Sequence, residues 1–109
     1  MKPSTVARAR AVIVNARRLN FDNKLNFETL RAALGGENAV TTHDDASPTT
    51  DEISSRALGH DIVISKEVPV DVRTLPNTVR LVCEAGTGYN NIDIAAAAAR
   101  GITVCNVPT

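Results

Sequence analysis

The sequence has no tryptophan, one tyrosine, two phenylalanines and one methionine in 109 residues. Any core must therefore be built from Val, Ile, Leu and Ala. Cysteine is as scarce: Cys83 and Cys105 are the only two. No Cys-x-x-Cys or Cys/His spacing occurs, and His43 and His60 bring no suitably spaced partner, which argues against a disulfide framework or a metal site. Each cysteine lies in an apolar, strand-like run and is expected to be a buried thiol acting as a small hydrophobe. Both histidines sit in polar stretches and read as surface residues. No apolar run approaches the roughly 18 residues of a membrane span. Net charge is absent too. Twelve basic and twelve acidic side chains cancel, which argues against a general attraction to nucleic acid or an anionic membrane.

The length suits one domain covering residues 1–109, since domains commonly run about 100–150 residues. The apolar share of 43% and the charged share of 22% are those of a globular chain. Lys2, Arg8, Arg10, Arg17 and Arg18 precede the first acid, Asp22. Such a basic front has the look of a targeting segment. Its charges instead flank a short buried strand, too short an apolar run for a signal peptide. The chain reads as soluble and cytoplasmic.

Apolar runs alternate with helix-like stretches and turn signals, with no internal repeat. Arg10-Ala-Val-Ile-Val-Asn15 is short, β-branched and apolar on both parities, as for a strand buried on both faces. Asn26 is expected to cap a helix over 27–34, striped by Phe27, Leu30 and Leu34 and ended by Gly35-Gly36. A second strand follows at 39–42, then a polar loop over 43–50. Thr50 is expected to cap a helix over 51–58, stopped by Gly59. The third strand is 61–65. Residues 70–75 are at most a short helical turn before Pro76. The fourth strand is 80–85, Asp93 caps an alanine-rich helix over 94–100, and the fifth strand is 102–107. Five strand-then-helix repeats with the last helix missing predict a flavodoxin-like, open, five-stranded parallel sheet of order 2-1-3-4-5 with helices on both faces.

In such sheets ligands gather beyond the carboxyl ends of the strands. After the first strand comes Asn15-Ala-Arg-Arg-Leu19, with no glycine and two arginines, which argues against a flavin phosphate loop. After the third comes Ser65-Lys66-Glu67, which lacks the aspartate of a phospho-acceptor receiver. After the fourth comes Glu84-Ala-Gly-Thr-Gly-Tyr-Asn-Asn-Ile-Asp93. Its Gly86-x-Gly88 is half of a dinucleotide fingerprint, with Asn91 at the third glycine position, and is weak by itself. Two residues without Cβ at a strand-to-helix turn can bare backbone amides to a carboxylate or phosphate, helped by the helix N-terminus. They can equally serve as a tight turn with no ligand.

The stretch Gly86-Thr-Gly-Tyr-Asn-Asn-Ile-Asp93, followed by Arg100-Gly-Ile-Thr-Val-Cys-Asn-Val-Pro108, resembles the D-isomer-specific 2-hydroxyacid dehydrogenases, most of all their glycerate dehydrogenase and hydroxypyruvate reductase branch. The resemblance implies an NAD(P)-dependent oxidoreductase acting on a small D-2-hydroxy or 2-keto acid. This chain would be its N-terminal, substrate-binding segment, incomplete relative to the family and without the nicotinamide-binding domain. Thr87 and Gly88 map to the turn that presents amides to the substrate carboxylate. Asn106 and Pro108 map to the hinge entering the cofactor domain. Relatives in the branch carry Asn-Lys before Val-Pro where this chain has Lys66-Glu67, so Lys66 is expected to serve from one position earlier.

The family's catalytic arginine, histidine and carboxylate, and its Gly-x-Gly-x-x-Gly, match no position here. No catalytic residue is therefore assigned, and the chain alone is expected to bind neither NAD nor NADP and to be inactive. A second reading is a non-catalytic module derived from the family, binding a small acid or pairing with a full-length relative. An exposed apolar patch and self-association are expected where relatives pack a returning segment.

Overall fold

The structure, a computed structural model, describes residues 9–106 except Phe21, Asn23, Leu25, Thr87 and Tyr89. Five strands, β1 (Ala11–Ile13), β2 (Val40–Thr42), β3 (Ile62–Ser65), β4 (Leu81–Glu84) and β5 (Thr103–Asn106), form one sheet. Every pairing is parallel and the order is β2-β1-β3-β4-β5, as the alternation of elements predicts. The strands are shorter than the apolar runs because flanking residues bond from loop geometry. Arg10 and Asp61, for example, exchange backbone and side-chain bonds at the sheet's amino end.

Helices cover both faces. On one, Val12, Val63 and Val82, all at 0% exposure, pack with Ile53 of α3 (Thr50–Arg56) and Ala97 of α4 (Ile94–Ala99). Burying one such valine is worth roughly 1.5–3 kcal/mol. On the other face, Ile13 and Val40 pack with Ala16 and with Phe27, Leu30 and Leu34 on and beside α2 (Glu28–Leu34). This second cover stops short of β4 and β5. Ile64, Leu81, Cys83 and Cys105 are only half-buried there. The two exposed large apolar side chains among the described residues, Leu58 and Ile94, lie on other elements.

Several expected boundaries need correction. α3 is capped by Thr49 rather than Thr50. The Glu52 amide donates to Thr49 Oγ1 at 3.1 Å and the Thr49 amide donates to Glu52 Oε1 at 2.8 Å. This reciprocal box fixes the helix start one residue early. α2 begins at Glu28 with Phe27 as its N-cap, although Asn26 Oδ1 accepts the Glu28 amide at 2.8 Å. Asp93 does cap α4, accepting the Ala96 amide at 3.0 Å. A four-residue helix, α1 (Ala16–Leu19), and a 3-10 turn, Glu37–Ala39, carry no apolar period long enough to be foreseen.

The β3–β4 connection breaks the strand-then-helix alternation: no helix is present between Ser65 and Leu81. Val68, Val70, Val72, Leu75 and Val79 instead plug directly into the core. The carbonyls of Val72 and Leu75 accept from Arg100 Nη1 at 2.6 and 2.8 Å, and Asn77 Oδ1 accepts from Nη2 at 2.7 Å. An arginine fork thus satisfies backbone that has no helical ladder.

Candidate functional site

The carboxyl ends of the strands gather the polar groups that the core excludes elsewhere. Among the described residues the buried polar side chains are Asn15, Ser65 and Glu84, at 0%, 1% and 3% exposure. They stand at or just past the ends of β1, β3 and β4. Asn15 holds two loops together. Its Nδ2 donates to the carbonyls of Lys66 (2.8 Å) and Ala46 (3.1 Å), and its Oδ1 accepts the Lys66 amide (3.1 Å). Arg56 adds a second tie, donating from Nη1 to Val14 O at 3.1 Å and from Nη2 to Asp45 Oδ2 at 2.8 Å. That guanidinium bond, the largest influence on Asp45, holds its carboxyl below the usual aspartate range.

Glu84 organises the glycine turn. Its Oε2 accepts the amides of Glu67 and Gly86, both at 2.9 Å. Its Oε1 is buried with no hydrogen-bond partner, as is Ser65 Oγ. Ser65, Glu84 and Asn106 are register neighbours across β3, β4 and β5. This row explains the first glycine. A Cβ on Gly86 would stand 3.1 Å from Glu84 Oε2, so any side chain there would press on the carboxylate that closes on that amide. It also explains Glu67, whose φ of 60° makes it the sole non-glycine residue with positive φ among those described. That conformation costs on the order of 1 kcal/mol or more, and the bond to Glu84 helps hold it. Arg18 Nη1 approaches Glu67 Oε1 to 3.7 Å.

The turn borders a cavity of about 230 Å³, lined by Glu67, Glu84, Gly86, Gly88, Asn90 and Asn91. Pockets for drug-sized ligands run roughly 300–1,000 Å³, so this space has the size for an acid of a few carbons. Gly88 is exposed, and a Cβ there would meet nothing within 4 Å. Thr87 and Pro108, singled out from the sequence, lie outside the described residues. Asn106 ends β5 in the polar row. Lys66 is half-buried beside Asn15, on the same connection as Glu67. Sequence reasoning expected free amides along the turn and help from the following helix. The Gly86 amide is already engaged, however, and the first turn of α4 is satisfied by Asp93, which also pairs with Arg73 at 2.8 Å.

The histidines are half-buried rather than at the surface. The ring nitrogens of His60 lie 2.9 Å from Leu58 O and 3.2 Å from Thr41 Oγ1. Burial, reinforced by Arg56, pushes the His43 pKa down. The cysteines are likewise half-buried. They are not separate fillers but mutual neighbours, with Cys105 Sγ donating to Cys83 Sγ at 3.1 Å. Among the described residues no group of three or more His, Cys, Asp or Glu could hold a metal ion. No helix there is long and apolar enough to cross a membrane.

Residues 11–109 match the family model described as D-isomer specific 2-hydroxyacid dehydrogenase, catalytic domain. The chain belongs to that family. A Schizosaccharomyces pombe protein named as a 2-hydroxyacid dehydrogenase is 41% identical over 46 residues, which are 42% of this chain and 13% of that relative. Solved 2-hydroxyacid dehydrogenase structures share the fold. A pyruvate reductase of Chlamydomonas reinhardtii superposes with a TM-score of 0.71 at 20% identity over 97% of this chain and 31% of its own. A 3-phosphoglycerate dehydrogenase of Entamoeba histolytica, solved with NAD+, gives 0.70 at 24% identity over 92% and 33%. The D-lactate dehydrogenase of Escherichia coli gives 0.68 at 20% identity over 91% and 31%. The chain thus spans about a third of the length of these dehydrogenases. The family-model match, residues 11–109, takes in the whole sheet and the carboxyl edge carrying Glu84 and Gly88.

Proposed function

We propose that this chain is the substrate-holding part of an NAD(P)-dependent oxidoreductase acting on the CH–OH group of a small D-2-hydroxy acid, of glycerate or hydroxypyruvate type. The observation that supports it is the small polar cavity at the carboxyl edge of β4, bounded by Gly86 and Gly88, in a chain of this family. In this reading residues 1–109 form one substrate-binding unit. The amides of Thr87 and Gly88 receive the acid's carboxylate, in place of the Gly86 amide that Glu84 already holds. Lys66, next to the cavity-lining Glu67 on the same connection, serves the wall of the site, and Asn106 with Pro108 forms the hinge toward the cofactor-binding part.

The chain's own share of the chemistry is to bind and orient the acid. The described residues do not fit a nicotinamide dinucleotide. The turn after β1 contains no glycine, and its Ala16 amide donates to His43 O at 2.8 Å. The nicotinamide would supply or accept the hydride when bound elsewhere in the working enzyme.

The test is calorimetric titration of the chain with D-glycerate and hydroxypyruvate, alongside an absorbance assay for NADH consumption. Binding without turnover is expected. If neither acid binds, the cavity is not a substrate site. If the chain alone turns over hydroxypyruvate, the assignment of the cofactor elsewhere is wrong.

A further inference from the structure

Cys83 on β4 and Cys105 on β5 are register partners, which puts their side chains on the same face of the sheet. The sulfurs are 3.1 Å apart. Adjacent strands run about 4.8 Å apart, and disulfides form across Cα separations of roughly 4.4–6.8 Å. Strand spacing thus falls within the Cα range of a covalent bridge, and the sulfurs need to close by only about 1 Å. Both residues are half-buried on the face that α2 leaves partly uncovered, so a small reagent can approach them. The next register pair along the same two strands is Glu84 with Asn106, which places a bridge one row below the polar edge.

We propose that Cys83 and Cys105 form an oxidisable pair that closes an inter-strand disulfide on reaction with a low-molecular-weight disulfide such as oxidised glutathione. The protein thiols lose two protons and two electrons, and one S–S bond forms between Cys83 and Cys105. The S–S bond of the reagent breaks, and two glutathione thiols leave with the protons and electrons. The exchange passes through a mixed disulfide on one cysteine, which the second cysteine resolves. Burial, then the bond to Cys105, pushes the Cys83 thiol up to about 12. Either sulfur can make the first attack, and the other stands in place to resolve the mixed disulfide. The bridge joins two strands already in contact, so it removes freedom mainly from the unfolded chain, and a Tm rise of roughly 10 °C is expected.

The full chain is equilibrated with reduced and oxidised glutathione at graded ratios, quenched by alkylation and weighed intact. Fully reduced protein takes two alkyl groups. At oxidising ratios the expected product takes none and is lighter by two hydrogens, and it migrates as a monomer on a non-reducing gel. Cys83→Ser should stop at a glutathione adduct on Cys105. Adducts alone on the unaltered chain, disulfide-linked dimers, or two thiols still open to alkylation under excess oxidised glutathione would each overturn the proposal. These outcomes do not depend on whether the cavity binds an acid.

Discussion

The two ends of the sheet are built from similar residues and treat them in opposite ways. At the amino end, Arg10, Asp61 and Arg80 pass a chain of bonds from strand to strand. The Asp61 and Ile62 amides donate to Arg10 O, and the Arg80 amide donates to Asp61 O. The Thr103 amide donates to Arg80 O, and the Arg10 amide donates to Asp61 Oδ2. Their side chains reach toward water, and the job is structural. At the carboxyl end Asn15, Ser65 and Glu84 are shut away from solvent, one backbone is twisted to positive φ at Glu67, and two polar atoms lack partners. A fold has no stability reason to leave buried acceptors unmet, since each is expensive. The contrast marks the carboxyl end as the one organised for something other than stability.

That contrast can be broken by mutation. The largest effect is expected from Asn15→Ala, which removes the three bonds that Asn15 makes to the Lys66 amide and to the Lys66 and Ala46 carbonyls. A loss of about 3 kcal/mol in urea unfolding is expected. Glu84→Ala should cost less, about 2 kcal/mol, because it frees the Glu67 and Gly86 amides but also removes an acceptor that had no partner. Glu84→Gln keeps an acceptor for both amides and should stay within about 1 kcal/mol of the unaltered chain. At the opposite end Asp61→Ala removes one wet hydrogen bond, and thermal unfolding should register only about 0.5 kcal/mol. Equal losses for Asn15→Ala and Asp61→Ala would erase the distinction between the ends.

The smallest effect concerns acid. Asp45 is exposed and its carboxyl is held below the ordinary aspartate range, chiefly by its bond to Arg56. Its contribution is therefore complete above about pH 4 and disappears as pH falls through the depressed folded value. Asp45→Asn should flatten that part of the Tm–pH curve, and added salt should mask the difference.

Much of the fold could be read from residue order alone. Strands without alternation, such as Ala11–Ile13 and Ile62–Ser65, announce a sheet covered on both faces, and the glycines after α2, α3 and α4 punctuate it. The connection after β3 was legible only as a short turn before Pro76. Its apolar residues keep no helical period, and two of their carbonyls, of Val72 and Leu75, are held by Arg100 on another element. The site was legible as a glycine turn at a strand end. Its internal carboxylate was visible only as an acid closing an otherwise apolar strand, Leu81–Glu84, and nothing local says that this acid folds back onto Gly86. The meeting of Cys83 with Cys105 depends on strand register, which no spacing in one strand encodes.

Arg100 has a consequence for the order in which the molecule can be completed. The carbonyls it fastens belong to Val72 and Leu75, 28 and 25 positions upstream. A ribosome delivers the β3–β4 connection well before its clasp. Until α4 emerges, the Val72 and Leu75 carbonyls have only water to bond, and the clasp that ties them to the fold waits for residues made later.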